Sequence, residues 1–391
     1  MENNNHNLQK ILPVLFGFFI VGFVDLVGTA TNNIKHDFNL SDSMAGTLPM
    51  VVFLWFLIFS IPVGLLMNRI GRKKTVLLSM IVHIIAFSLP LIAYNFTIIL
   101  ITFALLGIGN TIIQVSLNPL LSNVVQNNKL TASLSAGQFV KAISSFMGPI
   151  IAAYAAKEFG DWTLIFPVYL IATLASSFWL LATPIIENQT IHSSSFKSSL
   201  SLLKNPTVLK LFIGIFTVVG IDVGINTIAP KLMEERILGM TSLNSVYAIS
   251  VYFIFRTVGS FMGSILLSYV SVRKFYISST FIAMGSLLAL IFADTVNILY
   301  LFLALVGLSV SNIFSIVFSY ALQNLPDKSN DISALLIMGV SGGALFPWLM
   351  GLSSDNLNLQ AGALIVLILC CAYHIYLSVF VKKIDIETGD N

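Results

Sequence analysis

Charge is what this sequence has least of: Asp, Glu, Lys and Arg make up 9% of its 391 residues. Soluble domains carry about 25%, and a surface facing water cannot be covered with so few ionised groups. Cysteine is nearly missing as well. The two present, Cys370 and Cys371, stand side by side in an apolar run, which argues against a disulfide framework or a zinc site. Neither a GxxxxGK[ST] loop nor a GxGxxG fingerprint occurs, so the chain has no visible nucleotide-driven engine. A net charge of +3 without a basic stripe excludes nucleic acid as a partner. No triad, metal-ligand cluster or paired acid and base stands out. No enzyme, metal or cofactor is expected.

What remains is apolar. Hydrophobic residues reach 57%, with 30 Phe. A bilayer core needs about 20 apolar residues per helix, and twelve such runs follow one another from residue 11 to residue 381. The first, Ile11 to Thr31, lacks a small-residue cleavage site and reads as a membrane helix, not a signal peptide. The longest polar interruption runs from Ile185 to Thr207. The expected fold is therefore an all-α membrane protein of twelve transmembrane helices. Residues 1–184 form an N-terminal six-helix half, 185–207 a cytoplasmic interdomain linker, and 208–391 a C-terminal six-helix half. Fourteen of the 20 Lys and Arg fall on the side of the termini and linker, and four on the other. Positive residues mark the cytoplasmic side, so both termini are expected there.

The halves repeat. Val21-Gly22 followed by Asp25 recurs as Val219-Gly220 followed by Asp222. Gly64 and Arg72-Lys73 recur as Gly263 and Arg273-Lys274, Gly107 as Gly307, and Pro149 as Pro347. The offsets stay between 197 and 201, which points to a parallel six-helix repeat.

The loop Gly64-Leu-Leu-Met-Asn68-Arg69-Ile-Gly71-Arg72-Lys73-Lys74 resembles the signature of the major facilitator superfamily. The resemblance implies a transporter whose substrate site lies near the midplane, reached by alternating access. It also implies a cytoplasmic latch at Gly64, Asn68, Arg69, Gly71 and Arg72. The family usually places Asp where this chain has Asn68, so a weaker latch is expected. Further segments resemble the fucose:proton symporter family of sugar transporters. These are Leu117-Asn118-Pro119, Gly137-Gln138, Val219 to Gly224, Arg256 to Gly259, and Gly342 to Asp355. That resemblance implies a monosaccharide substrate with protons as the coupling ion. The positions of its two coupling acids are Thr29 and Gln114 here, and one Asn is replaced by Lys141, so proton coupling does not carry over at those sites and, if it exists, has been rewired.

Ionisable groups inside a bilayer are costly, at least about 2.5–3.5 kcal/mol each. Asp25, Lys141, Asp222 and Arg256 are the candidates for coupling, expected to pair as Asp25 with Lys141 and Asp222 with Arg256. Static ion pairing is the plainer alternative. His83 and His374 are expected to be hydrogen-bonded bystanders. Helical spacing collects polar stripes at Asn110, Gln114 and Asn118, at Gln138, Lys141 and Ser145, and at Asp222 and Asn226, with Asn312 on span 10. Amides carry donors and acceptors together and suit sugar hydroxyls. Thr29, Asn110, Gln114, Asn118, Gln138, Asn226, Asn312 and an aromatic face at Trp55 are the expected substrate contacts.

The leading expectation is a monomeric, proton-coupled monosaccharide symporter of a bacterial inner membrane. Ser144-x-x-x-Gly148-Pro149 partly matches an antiporter motif and keeps a proton-coupled drug or metabolite exporter in view. An uncoupled sugar facilitator is the third reading, and a receptor the least favoured.

Overall fold

The computed structural model describes residues 2–40, 42–187, 195–240, 245, 247–357 and 359–389, with backbone alone at 2–8, 29, 32, 42–43, 45–46 and 380–389. Among the described residues twelve helices are long and apolar enough to cross a bilayer. Spans 1 to 6 are Gln9–Gly28, Thr47–Ile70, Arg72–Ile92, Phe96–Val124, Asn127–Phe159 and Trp162–Ala182. Spans 7 to 12 are Pro206–Arg236, Tyr247–Leu266, Val272–Phe292, Val296–Asn324, Pro326–Leu357 and Ala361–Val379. No strand occurs among the described residues.

Hydrocarbon offers no partner to an open N–H or C=O, and a helix satisfies both within one segment. That constraint outweighs the poor helix propensity of the many Ile, Val and Phe. Large side chains on the outer faces remain uncovered: Ile171 and Phe178 of span 6 are each 66% exposed. Those faces belong to lipid. Connections are short, and spans 2 and 3 are separated by Gly71 alone. Its φ of 89° lies in the left-handed region, where a Cβ would clash. Replacing it would strain the turn.

Among the described residues three spans are interrupted within their length. Span 1 carries a 3-10 turn at Gly22–Asp25 and continues as a helix to Asp37. Span 10 is interrupted between Val296–Val310 and Ile313–Asn324. Span 11 opens with a 3-10 turn at Pro326–Lys328, runs as Ser329–Met338, turns again at Gly339–Ser341, and ends as Gly342–Leu357.

The chain forms two compact units. The first comprises Met1–Ser133, Val140–Leu202 and Leu325–Met338; the second comprises Leu134–Phe139, Leu203–Asn324 and Gly339–Asn391. Their inner crossings repeat at the offset found in the sequence. In the first unit span 4 crosses span 2 at Gly107, where a Cβ would stand 2.6 Å from the Val52 carbonyl oxygen. In the second, span 10 crosses span 8 at Gly307, and a Cβ there would stand 2.5 Å from the Tyr252 carbonyl oxygen. Both glycines and both carbonyls are 200 residues apart. Gly17 faces the Leu117 side chain, and Gly214 faces the side chains of Leu377 and Val317.

Candidate functional site

In the first unit the site is built around the 3-10 turn of span 1. A 3-10 turn bonds i to i+3 and leaves the preceding carbonyl without its usual i+4 donor. Asn110 of span 4 supplies one: its Nδ2 donates to the Val21 carbonyl at 3.0 Å. A ladder continues down span 4. Gln114 Nε2 donates to Asn110 Oδ1 at 2.6 Å, and Asn118 Nδ2 to the Gln114 carbonyl at 2.9 Å. Asn110 is fully buried, so its amide is committed to the backbone of span 1 and does not face a solute. Asn118 Oδ1 is buried without a partner.

Asp25 closes that turn. Its Oδ2 accepts from Ser145 of span 5 at 2.5 Å, and the same hydroxyl lies 2.9 Å from the Lys141 carbonyl. The expected pair with Lys141 does not form, and among the described residues no ion pair reaches Asp25. The crossing explains this. A Cβ on Gly22 would meet the Lys141 carbonyl at 2.6 Å and Ser144 Oγ at 2.9 Å. Backbones that close leave room for a serine hydroxyl but not for a four-carbon stem. Gln138 and Lys141 are half-buried on the same helix and make no side-chain hydrogen bond among the described residues. Trp55 turns an edge to Gly107 and packs against Phe59 with ring centroids 5.1 Å apart; its Nε1 is buried without a partner. The side chain of Thr29 lies outside the described residues.

In the second unit Asp222 of span 7 pairs with Arg256 of span 8, Nε to Oδ1 at 2.8 Å. Tyr252, one turn before Arg256 and fully buried, donates its hydroxyl to the same oxygen at 2.6 Å. Two donors thus meet on one carboxylate oxygen, and the charge-assisted bonds hold span 7 to span 8. Asn226 Nδ2 donates to the Asp222 carbonyl at 3.0 Å, and its Oδ1 is buried without a partner. Asn312, at the interruption of span 10, donates to the Gly259 carbonyl at 2.8 Å and to Ser311 Oγ at 2.9 Å. Its Oδ1, like those of Asn118 and Asn226, is buried without a partner.

The loop signature also lies in the first unit, against Leu325–Met338. Gly64 faces Ala334 and the Asn330 carbonyl. Asn68 donates to Asp331 Oδ2 at 3.4 Å and accepts from Asn330 Nδ2 at 2.7 Å. Arg72 donates to Asn330 Oδ1 at 2.8 Å, Ser329 Oγ at 2.5 Å, the Pro119 carbonyl at 3.0 Å, and Asn123. Arg69 is exposed. The acid that the signature usually carries at position 68 is thus met from the opposite side, by buried Asp331, which also accepts from Ser199 at 2.5 Å. Glu187 accepts from the backbone N–H of Arg72 at 2.6 Å and of Lys73 at 2.8 Å, capping the N-terminus of span 3.

The histidines sit apart from both acids. His83 donates Nδ1–H to the Ser79 carbonyl at 2.8 Å. His374 is held between Tyr276 at 2.8 Å and Thr217 at 3.1 Å. Past the outer end of span 1, Asp37 accepts from Tyr94 at 2.6 Å and Trp162 at 2.8 Å. Burial, then the Asp37 carboxylate, raises the Tyr94 phenol above its ordinary range, so it remains a donor at neutral pH.

Sequence reasoning did not anticipate Tyr252, Asp331, Asn330, Ser199 or Glu187 as partners. Tyr252 carries a signal, since it stands four residues before Arg256. Asp331 sits at the edge of an apolar run, where an acid looks solvated.

Twelve apolar helices, duplicated crossings and polar groups bonded between helices define an integral multi-pass membrane protein. Residues 14–347 match the Major Facilitator Superfamily, and the chain belongs to that family. It is 25% identical over 373 residues to a protein described as "Glucose/galactose transporter" of Brucella abortus biovar 1 (strain 9-941), covering 91% of this chain and 90% of that one. It is 24% identical over 348 residues to "Probable sugar efflux transporter" of Haemophilus influenzae (strain PittGG), covering 86% of each. A crystal structure of the E. coli fucose:proton symporter shares the fold, with a TM-score of 0.83 at 18% identity over 95% of this chain and 98% of that one.

Proposed function

We propose that the protein carries a monosaccharide across the membrane by proton-coupled symport with alternating access. The observation that carries this reading is Asp25, a carboxylate inside span 1 whose side-chain partner is a serine hydroxyl and not a cation. A carboxylate without a counter-charge in hydrocarbon gains and loses a proton at modest cost, whereas one tied to a guanidinium keeps its charge. Asp25 is then the proton carrier, with Lys141 nearby on span 5 to sense its charge. Asp222 and Arg256 hold a fixed pair. Sugar hydroxyls fall to Gln114, Asn118, Gln138, Asn226 and Asn312, with Thr29 four residues after Asp25 in the chain and Trp55 offering a ring. The relatives described as glucose/galactose and sugar efflux transporters support a sugar as the solute.

Gly64, Asn68, Arg69, Gly71 and Arg72 serve as the conformational latch. Residues 1–184 and 208–391 act as the two moving halves about the 185–207 linker, with both termini cytoplasmic, in a monomer of a bacterial inner membrane. The efflux relative favours a second reading, proton-coupled sugar export. Uptake of labelled monosaccharides into proteoliposomes separates the readings. Symport gives accumulation driven by an inward proton gradient, and Asp25→Asn leaves equilibration only. Export gives loss of preloaded sugar under the same gradient. No movement of any sugar in either direction overturns both.

A further inference from the structure

Ser145 has one hydroxyl hydrogen and two acceptors in reach: Asp25 Oδ2 at 2.5 Å across the crossing, and the Lys141 carbonyl at 2.9 Å on its own helix. One O–H cannot serve both at full strength. The second acceptor is the ordinary i−4 back-bond of a helical serine, so it is available in any state of span 5. We infer that Ser145 is a positioning residue that reads the protonation of Asp25 and reverses its hydrogen bond with it.

With Asp25 ionised, Ser145 donates to the carboxylate, and this charge-assisted bond ties the 3-10 turn of span 1 to span 5. When Asp25 takes a proton, the new acid O–H donates to Ser145 Oγ and the serine hydrogen turns to the Lys141 carbonyl. One proton enters, at Asp25; the serine neither gains nor loses one. The reversed bond joins neutral groups and has roughly half the strength of the charged one, so protonation loosens span 1 from span 5.

The surroundings of Asp25 leave this role to Ser145. Span 5 brings Lys141, one turn before Ser145, through its carbonyl. Span 6 brings Tyr169, whose ring stacks on Phe23 at 3.7 Å and whose phenol lies within electrostatic reach of Asp25 but makes no hydrogen bond among the described residues. Span 4 brings the neutral amides Asn110 and Gln114. Span 3 brings His83, separated from Phe23 by the ring of Phe87. Span 2 has no titratable side chain before Arg69 at its far end.

The inference rests on Asp25 being the coupling acid. Its test is the pH profile of gradient-driven sugar uptake in proteoliposomes for wild type, Ser145→Ala, Ser145→Thr and Asp25→Asn. Removing the donor disfavours the ionised acid, so Ser145→Ala moves the midpoint to higher pH by about one unit, tenfold in proton concentration. Ser145→Thr keeps the hydroxyl and the wild-type midpoint. An alanine variant with an unmoved midpoint overturns the inference, as does a threonine variant shifted as far as alanine. Should the alanine variant not fold, Ser145→Cys has the same shape with a weaker donor and must shift in the same direction; an unmoved midpoint there overturns the inference equally. Asp25→Asn that still accumulates sugar with the wild-type pH profile would instead bring down the assignment of Asp25 itself.

Discussion

At the residue scale, Asp25 and Asp222 occupy matching places in the repeat but keep different company. Asp222 is locked by Arg256 and Tyr252, whereas Asp25 holds one serine. Removing one member of this half-buried pair strands the other charge inside the membrane, at a cost of up to about 3–5 kcal/mol, while removing both is far milder. Arg256→Ala is therefore expected to lower the unfolding temperature of the detergent-solubilised protein sharply. Asp222→Asn in the same chain should restore most of it. A double variant no more stable than the single one would refute the pairing as the source of the loss. The sequence places both acids and Arg256 inside spans, and one pairing follows from that. The other does not, because partner choice depends on how closely backbones cross at Gly22, and spacing along a helix carries no such information.

At the element scale, the joint between span 2 and the start of span 11 inverts the usual arrangement. The acid of the loop signature is missing, and Asp331 faces Asn68 from the other helix at 3.4 Å. Restoring the family's usual residue is therefore harmful here. Asn68→Asp would set two carboxylates against each other, a repulsion on the order of 4 kcal/mol at an effective dielectric of about 20. The expected result is loss of thermal stability and a slower transport cycle. The exchange Asn68→Asp with Asp331→Asn should recover both, and a swap no better than the single change would show that the charge is not what matters. The signature is readable in the sequence; its counterpart is not, because it lies more than 260 residues away on an edge that looks solvated.

At the scale of the whole molecule, the fold is almost entirely legible because hydrocarbon imposes so few solutions. Run length gives the spans, and repeated glycines give the duplicated crossings, with Gly107 and Gly307 marking the same contact in each unit. Polar function is less legible, since Asn110 looks like a solute contact on a helical wheel, while its amide is taken up by the Val21 carbonyl and by Gln114. The unequal fates of the two acids also carry a thermodynamic consequence for the proposed cycle. With Asp222 bound to Arg256 as a fixed pair, one carboxylate is left as the proposed proton carrier, and in that cycle a neutral sugar crosses with one elementary charge. A potential of 100 mV supplies about 2.3 kcal/mol per charge, which caps accumulation on the order of fiftyfold when no pH difference is imposed. A potassium diffusion potential across sugar-loaded vesicles measures that cap directly. Steady-state ratios far above it would require a second charge and return Asp222 to the list of proton carriers.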